Sequence, residues 1–413
     1  MIFFPLYIDP GTGSALFSIA IGIAAVAYFF VRGLIIKLKV LVFRKVEQES
    51  RNKYVIYAED KRYWLFFEHI LNELEGRQIE TLYLTSSADD PVFSAGYNFV
   101  KAKYIGQGNK ALAYLNFLSA EFVLTTTPEL DVLQWKRSKN VKHYCHYVHA
   151  AGGPSLYRLF SLDYFDSVLL SSELDVPEIR HLENVRKLPE KQLAVVGNSY
   201  FDRCAERLKN IPGKDVRDFT VLVSPSWGPS ALLKMYGERL LDPLVETGWR
   251  IIIRPHPQSA ISEKPMLESL AGRYEGRSNV EWDYSHENIY SLSRADIMIS
   301  DFSGIVYDYV FLFDRPVLVN VQKLDFRRLD AHNLDEKPYY YQAFSKVGLE
   351  LEESALGSIK DVISGMMHNA EFDKNRREVK TAMWRHQGAA GKRVVDFMLE
   401  TAGGINTAGK EAG

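Results

Sequence analysis

The stretch Ile299–Pro316, ISDFSGIVYDYVFLFDRP, places one acidic residue and a Ser-Gly pair in front of a second acidic residue and a long apolar run. The residues around it predict a strand at Ile297–Ser300 and a helix at Ile305–Leu312. The residues from Asp301 to Gly304 then form a turn at the carboxyl end of a parallel strand, where open α/β sheets bind ligands. Because a helix start offers unpaired N–H groups and a partial positive charge, this turn suits a phosphate.

Within this segment, Asp301, Ser303, Gly304 and Asp308 are the candidate residues of a donor or phosphate site. The Ser303 hydroxyl adds a hydrogen-bond donor, and Gly304 lets the backbone approach a ligand closely. Asp308 precedes the apolar run, so we expect it to be partly enclosed, where it either braces the loop or binds a ribose hydroxyl. The alternative is ordinary helix capping, because Asp and Ser are common cap residues.

Strands and helices alternate along most of the chain. Helices are predicted at Trp64–Leu74, Leu232–Thr247 and His286–Ser293, besides the one above, and a last long helix at about Asn375–Leu399. The predicted strands are Tyr54–Ala58, Thr81–Thr85, Phe122–Thr125, Tyr144–Val148, Val168–Ser171, Leu193–Val196, Phe219–Val223, Arg250–Ile253, Ile297–Ser300 and Val317–Asn320.

This alternation indicates parallel sheets that are covered on both faces. The polar stretch Arg207–Asp218 contains a Pro-Gly pair and is predicted to link two such halves. The predicted fold class is therefore α/β, with two Rossmann-like, doubly wound domains facing a cleft, at 51–212 and 213–374. A helix at 375–400 is expected to bridge them, and the tail 401–413 is expected to be disordered.

Composition limits the class of protein. A chain of 413 residues is long enough for two domains, and its net charge of -2 gives no basic excess that would indicate nucleic-acid binding. The two cysteines, Cys145 and Cys204, are too few for a disulfide framework, so a reducing compartment is the simpler interpretation.

The N-terminal segment, residues 1–50, has a different character. Ala15–Val31 contains no charge and is near the minimum length that spans a bilayer. Four basic residues follow between Lys37 and Lys45, whereas Met1–Ser14 has no Lys or Arg. The positive-inside rule then predicts a single transmembrane anchor in the inner membrane, with the rest of the chain in the cytoplasm. A cleaved signal peptide is the alternative, although its basic residues would precede the apolar run; a buried core helix is a third interpretation.

A second motif, IIIRPHPQS, ends a predicted strand in Arg254-Pro-His256-Pro. The two prolines stiffen the loop, so His256 would be held at the carboxyl end of the strand, where it can donate to or accept from a ligand. Arg254 suits either phosphate oxygens or a structural carboxylate. The alternative for His256 is an ordinary loop histidine whose hydrogen bonds are satisfied by the protein.

A third motif, HYCHYVHAAGGPS, spaces three histidines three residues apart. In a strand, residues three apart point to opposite sides, so His143, His146 and His149 do not predict a shared metal site. His149, at the end of the strand, is the one directed toward a cleft. The glycines Gly152 and Gly153 that follow would let an acceptor approach the backbone.

A fourth motif, VLVSPSWGPS, ends a strand in Ser224-Pro-Ser226-Trp227. The two serines are candidates for phosphate contacts, and we expect Trp227 to pack in the core rather than stack on a base. The sequence contains no Asp-x-Asp triplet, no P-loop, no zinc spacing and no Gly-x-Ser-x-Gly elbow. Any diphosphate would therefore be bound by amides, hydroxyls, His and Arg, and no metal or other cofactor is predicted.

In this order the motifs resemble those of the CDP-glycerol glycerophosphotransferase family, which builds or primes poly(glycerol phosphate) in teichoic acids and related surface polymers. The resemblance covers about His149 to Met398. It rests on His149 before a Gly-rich turn, the Ser224 and Arg254 motifs, the Asp301 segment and HQGAAGKRVVDFM at the C-terminal end.

The resemblance implies a GT-B-like fold whose C-terminal domain binds the activated nucleotide. It also implies transfer of glycerol phosphate from CDP-glycerol to a hydroxyl of a membrane-linked glycan or polyol-phosphate acceptor, with release of CMP. His149 is then expected to be the general base, and His256, with Arg254 behind it, to stabilise charge on the phosphate and on CMP. Gly152 and Gly153 are expected on the acceptor side.

Three alternatives remain open at the level of the sequence. The same fold could transfer a sugar from a nucleotide-sugar and release a nucleoside diphosphate. CDP-ribitol or another polyol phosphate could replace CDP-glycerol. A non-catalytic assembly protein could retain the fold as a membrane platform. The expected partners are a CDP-activated donor, a lipid-linked or membrane-bound polymer acceptor and the membrane itself, and no nucleic acid.

Overall fold

The computed structural model describes residues 21–23, 25–31, 33, 52–149, 153–211, 218–285, 287–321, 324–367 and 369–411, with side chains as far as residue 404. Residues 52–413 form one compact unit, and residues 1–51 form another. In the unit formed by residues 1–51, the described residues between 21 and 33 are helical, and their large apolar side chains are exposed. None of the helices in the described part of the chain is long and apolar enough to cross a membrane. Of the stretch Ala15–Val31 predicted to span the membrane, residues 15–20 and 24 lie outside the described residues.

Within residues 52–413, the first sheet has seven strands, all parallel, in the order β3-β2-β1-β4-β5-β6-β7. In register, Tyr54 of β1 lies opposite Thr81 of β2 and Phe122 of β4. The strands are β1 (Asn52–Ala58), β2 (Thr81–Thr85), β3 (Val100–Tyr104), β4 (Ala120–Thr125), β5 (Val141–Tyr147), β6 (Ser167–Leu170) and β7 (Gln192–Val195).

The second sheet has six described strands, also parallel, in the order β10-β9-β8-β11-β12-β13. Val221, Ile252 and Met298 in its central strands are fully buried, as expected for unbroken apolar runs covered on both faces. The strands are β8 (Thr220–Val223), β9 (Arg250–Ile253), β10 (Val280–Trp282), β11 (Ile297–Ser300), β12 (Val317–Val319) and β13 (Leu349–Glu350).

Helices connect the strands and cover both sheets. They are α1 (Trp64–Gly76), α2 (Asn109–Leu115), α3 (Asp175–Arg186), α4 (Ser199–Leu208), α5 (Leu232–Tyr236), α6 (Glu238–Val245), α7 (Ser259–Ser262), α8 (Lys264–Arg273), α9 (Ile289–Arg294), α10 (Ile305–Phe313), α11 (Tyr339–Val347), α12 (Ile359–Met366), α13 (Ala370–Met383) and α14 (Ala390–Glu411).

The predicted strands are present, with ends shifted by a few residues, and two predicted helices are divided. The helix expected at Leu232–Thr247 is α5 and α6, separated at Gly237, whose φ of 42° favours glycine. The helix expected at Asn375–Leu399 is α13 and α14. Helix α14 continues to Glu411, through residues for which the sequence suggested a disordered tail. Ala402 within it is fully buried, whereas Gly403 and Gly404 are exposed.

The chain returns from the second sheet to the first through α14. Val394, Val395 and Met398 pack in the same core cluster as residues of β1 and α1. A Cβ at Gly391 would come within 2.9 Å of His69 Cβ on α1, so the two helices approach closely there. The bridging role of the C-terminal segment and the domain bounds stay predictions.

Candidate functional site

The turn after β1 contacts the imidazole of the first sheet, and its charge acts on the imidazole of the second. The 3-10 turn Lys61–Tyr63 follows β1, and the ring centroid of Tyr63 lies 5.0 Å from that of His149 after β5. Burial lowers the pKa of His256, after β9 in the second sheet, and the positive charge of the nearby Arg62 lowers it further. The carboxyl ends of the two sheets therefore face one cleft in the compact unit.

The Asp301 carboxylate, which follows β11, is fully buried and binds backbone amides. Its Oδ1 accepts a hydrogen bond from the Ser226 N–H at 2.8 Å, and its Oδ2 accepts one from the Leu232 N–H at 2.9 Å. Burial raises the pKa of Asp301 to about 6 against the opposing effect of these amides. Asp301 thus fixes the loop after β8 instead of presenting its carboxylate to a ligand.

The start of α10 has no side-chain cap. Gly304 is the N-cap residue, and no side-chain oxygen accepts a capping hydrogen bond from the helix amides. The Val306 and Tyr307 N–H groups donate to the Ser303 and Gly304 carbonyls. The donor character that suits an anion therefore rests with the amides that precede Val306. The φ of Gly304 is -58°, so its backbone conformation does not itself require glycine.

The two serines after β8 differ in their surroundings. Ser224 is integrated into the sheet end: its carbonyl accepts from the Ser300 hydroxyl at 2.6 Å, and its own hydroxyl donates to the Arg254 carbonyl at 3.4 Å. The buried Ser226 hydroxyl lies beside the Asp301 carboxylate without a well-aligned hydrogen bond. Of the two, only Ser226 retains a hydroxyl that can turn toward a ligand.

The Arg254 guanidinium is buried and occupied by protein groups. Its Nη1 donates to Asp283 Oδ2 at 2.5 Å and to the Ser285 hydroxyl at 3.1 Å, and its Nη2 donates to the Ser285 carbonyl at 2.8 Å. Although burial opposes it, this ion pair helps the hydrogen bonds from Ser285 and Ser291 to hold the pKa of Asp283 at about 2. Of the two roles open for Arg254, the structure favours the structural carboxylate partner.

His256 has one ring nitrogen committed to its own loop. The Gln258 N–H donates to Nδ1 at 3.1 Å, so the neutral ring carries its proton on Nε2. Trp227 lies beside it, with ring centroids 6.4 Å apart and planes inclined by 31°. The Trp227 side chain is 48% exposed, so the expectation that it packs in the core is wrong. Its exposure follows from the turn at Gly228, where the chain leaves the sheet end.

His149 is surrounded by aromatic rings and paired with a tyrosine. The Tyr157 hydroxyl lies 3.0 Å from Nδ1 and accepts the His149 backbone N–H at 3.2 Å. Phe66 and Tyr63 present their edges or faces to the ring at centroid distances of 6.0 and 5.0 Å. Burial lowers the pKa of His149 to about 4 against the opposing effect of a hydrogen bond to the Thr126 backbone, so its imidazole is neutral at pH 7.

The other two histidines of this motif do not join His149 in a metal site. The His143 ring stacks on Phe122 and its Nε2 lies 2.8 Å from the Ser167 hydroxyl. His146 is fully buried, and burial lowers its pKa well below the usual value. Among the described residues, no group of three or more His, Cys, Asp or Glu side chains is arranged to hold a metal ion.

The two acceptor candidates are glycines, and only Gly153 lies within the described residues; Gly152 lies outside them. Gly153 has a φ of 79°, and a Cβ there would come within 2.5 Å of the Tyr340 ring. The Tyr340 hydroxyl in turn donates to Asp175 Oδ2 at 3.1 Å. Gly153 therefore packs where the two halves meet, at the base of the loop that follows His149.

Asp308 also lies between the two halves. Its Oδ2 accepts from the Tyr200 hydroxyl at 3.1 Å and from Asn288 Nδ2 at 2.9 Å. Tyr200, on α4, stacks on Phe66 with ring centroids 5.0 Å apart. Burial raises the pKa of Asp308 to about 6. Of the two roles expected for Asp308, the bracing role is the one for which the structure supplies partners.

Sequence reasoning missed several residues that the fold brings to the site. Tyr157 and Tyr63 contact His149, and Arg62 acts on His256, but none of them lies in a recognisable motif. A position directly after β1, at the carboxyl end of a central parallel strand, is the one signal that pointed to the turn containing Arg62 and Tyr63.

Comparison with known protein families gives one match. Residues 231–400 match the family described as CDP-Glycerol:Poly(glycerophosphate) glycerophosphotransferase. The match includes the Arg254 motif, the Asp301 segment and the C-terminal segment, and begins after Ser226 and His149. It confirms the resemblance that the motifs indicated. Comparison with curated protein sequences yields no significant match.

Solved structures share the fold at low sequence identity. The wall teichoic acid polymerase TagF, a histidine-to-asparagine variant with CDPG, has a TM-score of 0.56 at 13% identity, covering 91% of this chain and 98% of that one. S. aureus MnaA with UDP has a TM-score of 0.57 at 12% identity, covering 84% and 96%. A putative UDP-N-acetylglucosamine 2-epimerase from Listeria monocytogenes has 0.55 at 12%, covering 85% and 97%. These likenesses confirm the α/β, GT-B-like part of the predicted fold class.

Proposed function

We propose that this chain transfers glycerol phosphate from CDP-glycerol to an acceptor hydroxyl. The premise is that residues 231–400 match the CDP-glycerol glycerophosphotransferase family. The observation that carries the proposal is the uncapped start of α10, which faces the same cleft side of the sheet as His256. Its amides, with the Ser303 and Ser226 hydroxyls, offer donors to a diphosphate. Because transfer of a phosphoryl group depends mainly on positioning and charge stabilisation, such a site suits the reaction.

In the proposed reaction, the acceptor oxygen forms a bond to the phosphorus that carries glycerol. The bond from that phosphorus to the bridging oxygen breaks, and CMP leaves with the electron pair. His149 takes the hydroxyl proton on Nε2, while its Nδ1–H donates to the Tyr157 hydroxyl oxygen. His256 donates its Nε2–H to a phosphate oxygen, since Nδ1 is occupied by the Gln258 amide. Asp301 and Arg254 act indirectly, by fixing the loops that carry Ser226 and His256.

The N-terminal segment bears on the acceptor and on the location of the reaction. Exposed apolar side chains between Ile21 and Val31, followed by basic residues, support a single-pass anchor in the inner membrane with the catalytic unit in the cytoplasm. An anchored enzyme meets a lipid-linked or membrane-bound polymer at high effective concentration. No metal enters the scheme, and amides, hydroxyls and an imidazole are the hydrogen-bond donors that it assigns to the diphosphate.

The test is to identify the nucleotide that the purified full chain releases from CDP-glycerol, CDP-ribitol and a panel of nucleotide-sugars, with and without a chelator. We expect CMP from CDP-glycerol, and no loss with chelator. CDP or UDP released from a nucleotide-sugar would overturn the proposal in favour of glycosyl transfer, and CMP from CDP-ribitol alone would change the polyol. Release of no nucleotide would indicate the non-catalytic platform.

The histidines are tested in the same assay. We expect His149→Ala and His256→Ala each to lower the rate of CMP release by about 10²–10⁴-fold, the usual contribution of a positioned acid or base. His332→Ala, at an exposed position on the same half as His256, is the matched control and should retain the full rate. A variant that releases CMP at the control rate would remove its histidine from the scheme.

A further inference from the structure

A metal-free diphosphate site needs a cation, and the arginine of the Arg254 motif does not supply it. Its guanidinium is buried and donates to Asp283 and Ser285. Removing it from these partners would leave a buried carboxylate uncompensated, which is strongly unfavourable. The positive charge that meets the transferred phosphate must therefore come from elsewhere in the cleft.

The turn after β1 carries two consecutive cations, which differ in their partners. Lys61 is held in an ion pair with Asp89. Arg62 uses its backbone N–H and its Nε to donate to Asp60 Oδ1, at 2.8 and 2.9 Å, and this leaves its two Nη groups without a partner among the described residues. Its side chain is 60% exposed. A guanidinium fixed through Nε presents its Nη edge as a two-pronged donor to an anion.

The position of Arg62 relates it to both imidazoles. The next residue, Tyr63, has its ring 5.0 Å from the His149 ring. Arg62 itself lies near enough to His256 for its charge to act on that ring, although the two residues belong to different sheets. The guanidinium therefore belongs to the turn at the carboxyl end of β1 whose next residue contacts the expected base.

We propose that Arg62 contacts the phosphoryl group being transferred, with its Nη edge opposite His256; this rests on the function proposed above. The acceptor half of the molecule thereby contributes the cation to a donor bound on the other half. The contact strengthens as negative charge spreads over the oxygens of the transferring group, which is how an arginine accelerates phosphoryl transfer. It also explains how the family's donor site works here although the motif arginine is occupied.

The first experiment measures CMP release from CDP-glycerol by the full chain and four variants. We expect Arg62→Gln to lower kcat/KM by about 10³-fold or more, as for other arginines that stabilise this kind of transition state, and Arg62→Lys to recover only part of it. Arg327→Gln is the matched control, because Arg327 also donates its backbone N–H and its Nε to an aspartate two residues earlier. Added guanidinium should restore activity to Arg62→Ala and leave the control unchanged, which a purely structural role would not produce.

The second experiment separates this proposal from the proposed function by calorimetric titration with CDP and with cytidine. We expect Arg62→Gln to weaken the binding of CDP at least tenfold and to leave the affinity for cytidine as in the wild type. If Arg62→Gln has the same kcat/KM and the same CDP affinity as Arg327→Gln, the role of Arg62 is overturned. The proposal of glycerol phosphate transfer is not affected by that result. If the wild type binds CDP more tightly than Arg62→Gln does but never releases CMP from CDP-glycerol, glycerol phosphate transfer is overturned and the contact between Arg62 and phosphate is supported. Wild-type chain that binds neither ligand overturns both.

Discussion

The two acids of the Asp301 segment bind protein donors, and their different neighbours separate their roles. Asp301 accepts from two amides of the loop after β8, within one half of the molecule. Asp308 accepts from Tyr200 and Asn288, which come from the two halves. Each is buried, and burial raises the pKa of each to about 6. A carboxyl with a raised pKa stabilises the fold in its protonated form.

The stability of the fold should therefore depend on the charge of Asp308. Its contribution is full below its unfolded pKa near 4 and is lost as the pH rises through about 6. A shift of this size corresponds to about 3 kcal/mol. We expect Asp308→Asn, which keeps an acceptor for Tyr200 and Asn288, to match the wild type near pH 4 and to exceed its free energy of unfolding near pH 7.

The measurement is urea unfolding of both proteins across this pH range. Asp325→Asn is the control, because Arg327 holds the pKa of the exposed Asp325 at about 2, and the pH dependence of that group has the opposite sign. Unfolding curves for Asp308→Asn and wild type that keep a constant separation from pH 4 to 7 would show that Asp308 is not ionised in the fold.

At the same scale, the sequence predicts positions better than partners. Asp301, His149 and His256 were found because each follows an apolar strand, and the carboxyl ends of parallel strands lie together. The partner of Asp301 lies 75 residues away at Ser226, and no local pattern encodes such a contact. Trp227 was misplaced for the same reason, since an aromatic residue after a strand is equally compatible with core and cleft.

At the scale of elements, Gly153 leads into the 3-10 turn Pro154–Leu156 and has little space around it. Gly153→Ala should destabilise the protein for two reasons: a φ of 79° is unfavourable for alanine, and its Cβ would overlap the Tyr340 ring. Gly228→Ala is the control, because Gly228 has a similar φ of 96° and open space around its Cβ position. We expect Gly153→Ala to lower the melting temperature more than Gly228→Ala does, and to reduce the rate of CMP release as well.

The role of Tyr340 is tested by combination. Tyr340→Leu removes the ring that the new Cβ meets, so it should recover part of the loss in Gly153→Ala. Equal melting temperatures for the two glycine variants would mean that the loop yields without cost and that Gly153 is needed only for its backbone conformation.

Elements with strong apolar patterns were predicted and weak ones were missed. β1, β8, β9 and β11 are buried and β-branched, and the sequence located them to within two residues. β3, with the sequence VKAKY, lies at the edge of its sheet and exposes its lysines, so its pattern is polar. β10 and β13 have three and two residues, too few for a periodicity to register.

At the scale of the whole molecule, Asp202 on α4 binds the segment that connects α13 to α14. Its Oδ1 accepts from Trp384 Nε1 at 2.9 Å and from the Gly388 N–H at 2.7 Å, and its Oδ2 accepts from the Ala390 N–H at 3.1 Å. Asp202→Ala would leave several of these donors unpaired, at about 1–3 kcal/mol each. We expect a lower free energy of unfolding and faster amide hydrogen exchange in α14.

Asp396→Ala gives the comparison for this prediction. Asp396 lies on α14 itself and pairs with Arg77 and Lys392 in partly exposed ion pairs, which are worth about 1 kcal/mol or less. If amide hydrogen exchange in α14 is no faster in Asp202→Ala than in Asp396→Ala, helix packing alone holds α14 in place and Asp202 is not needed for it.

The return of α14 to the first sheet has a consequence for biosynthesis. Val394, Val395 and Met398 complete the core beside β1, yet the ribosome makes them after every strand of both sheets. The half that is translated first therefore keeps part of its apolar surface exposed to water until α14 has been synthesised. A nascent chain stalled before Ala390 would hold a finished donor half and an unfinished partner, and chaperones would find their binding surface on the older half.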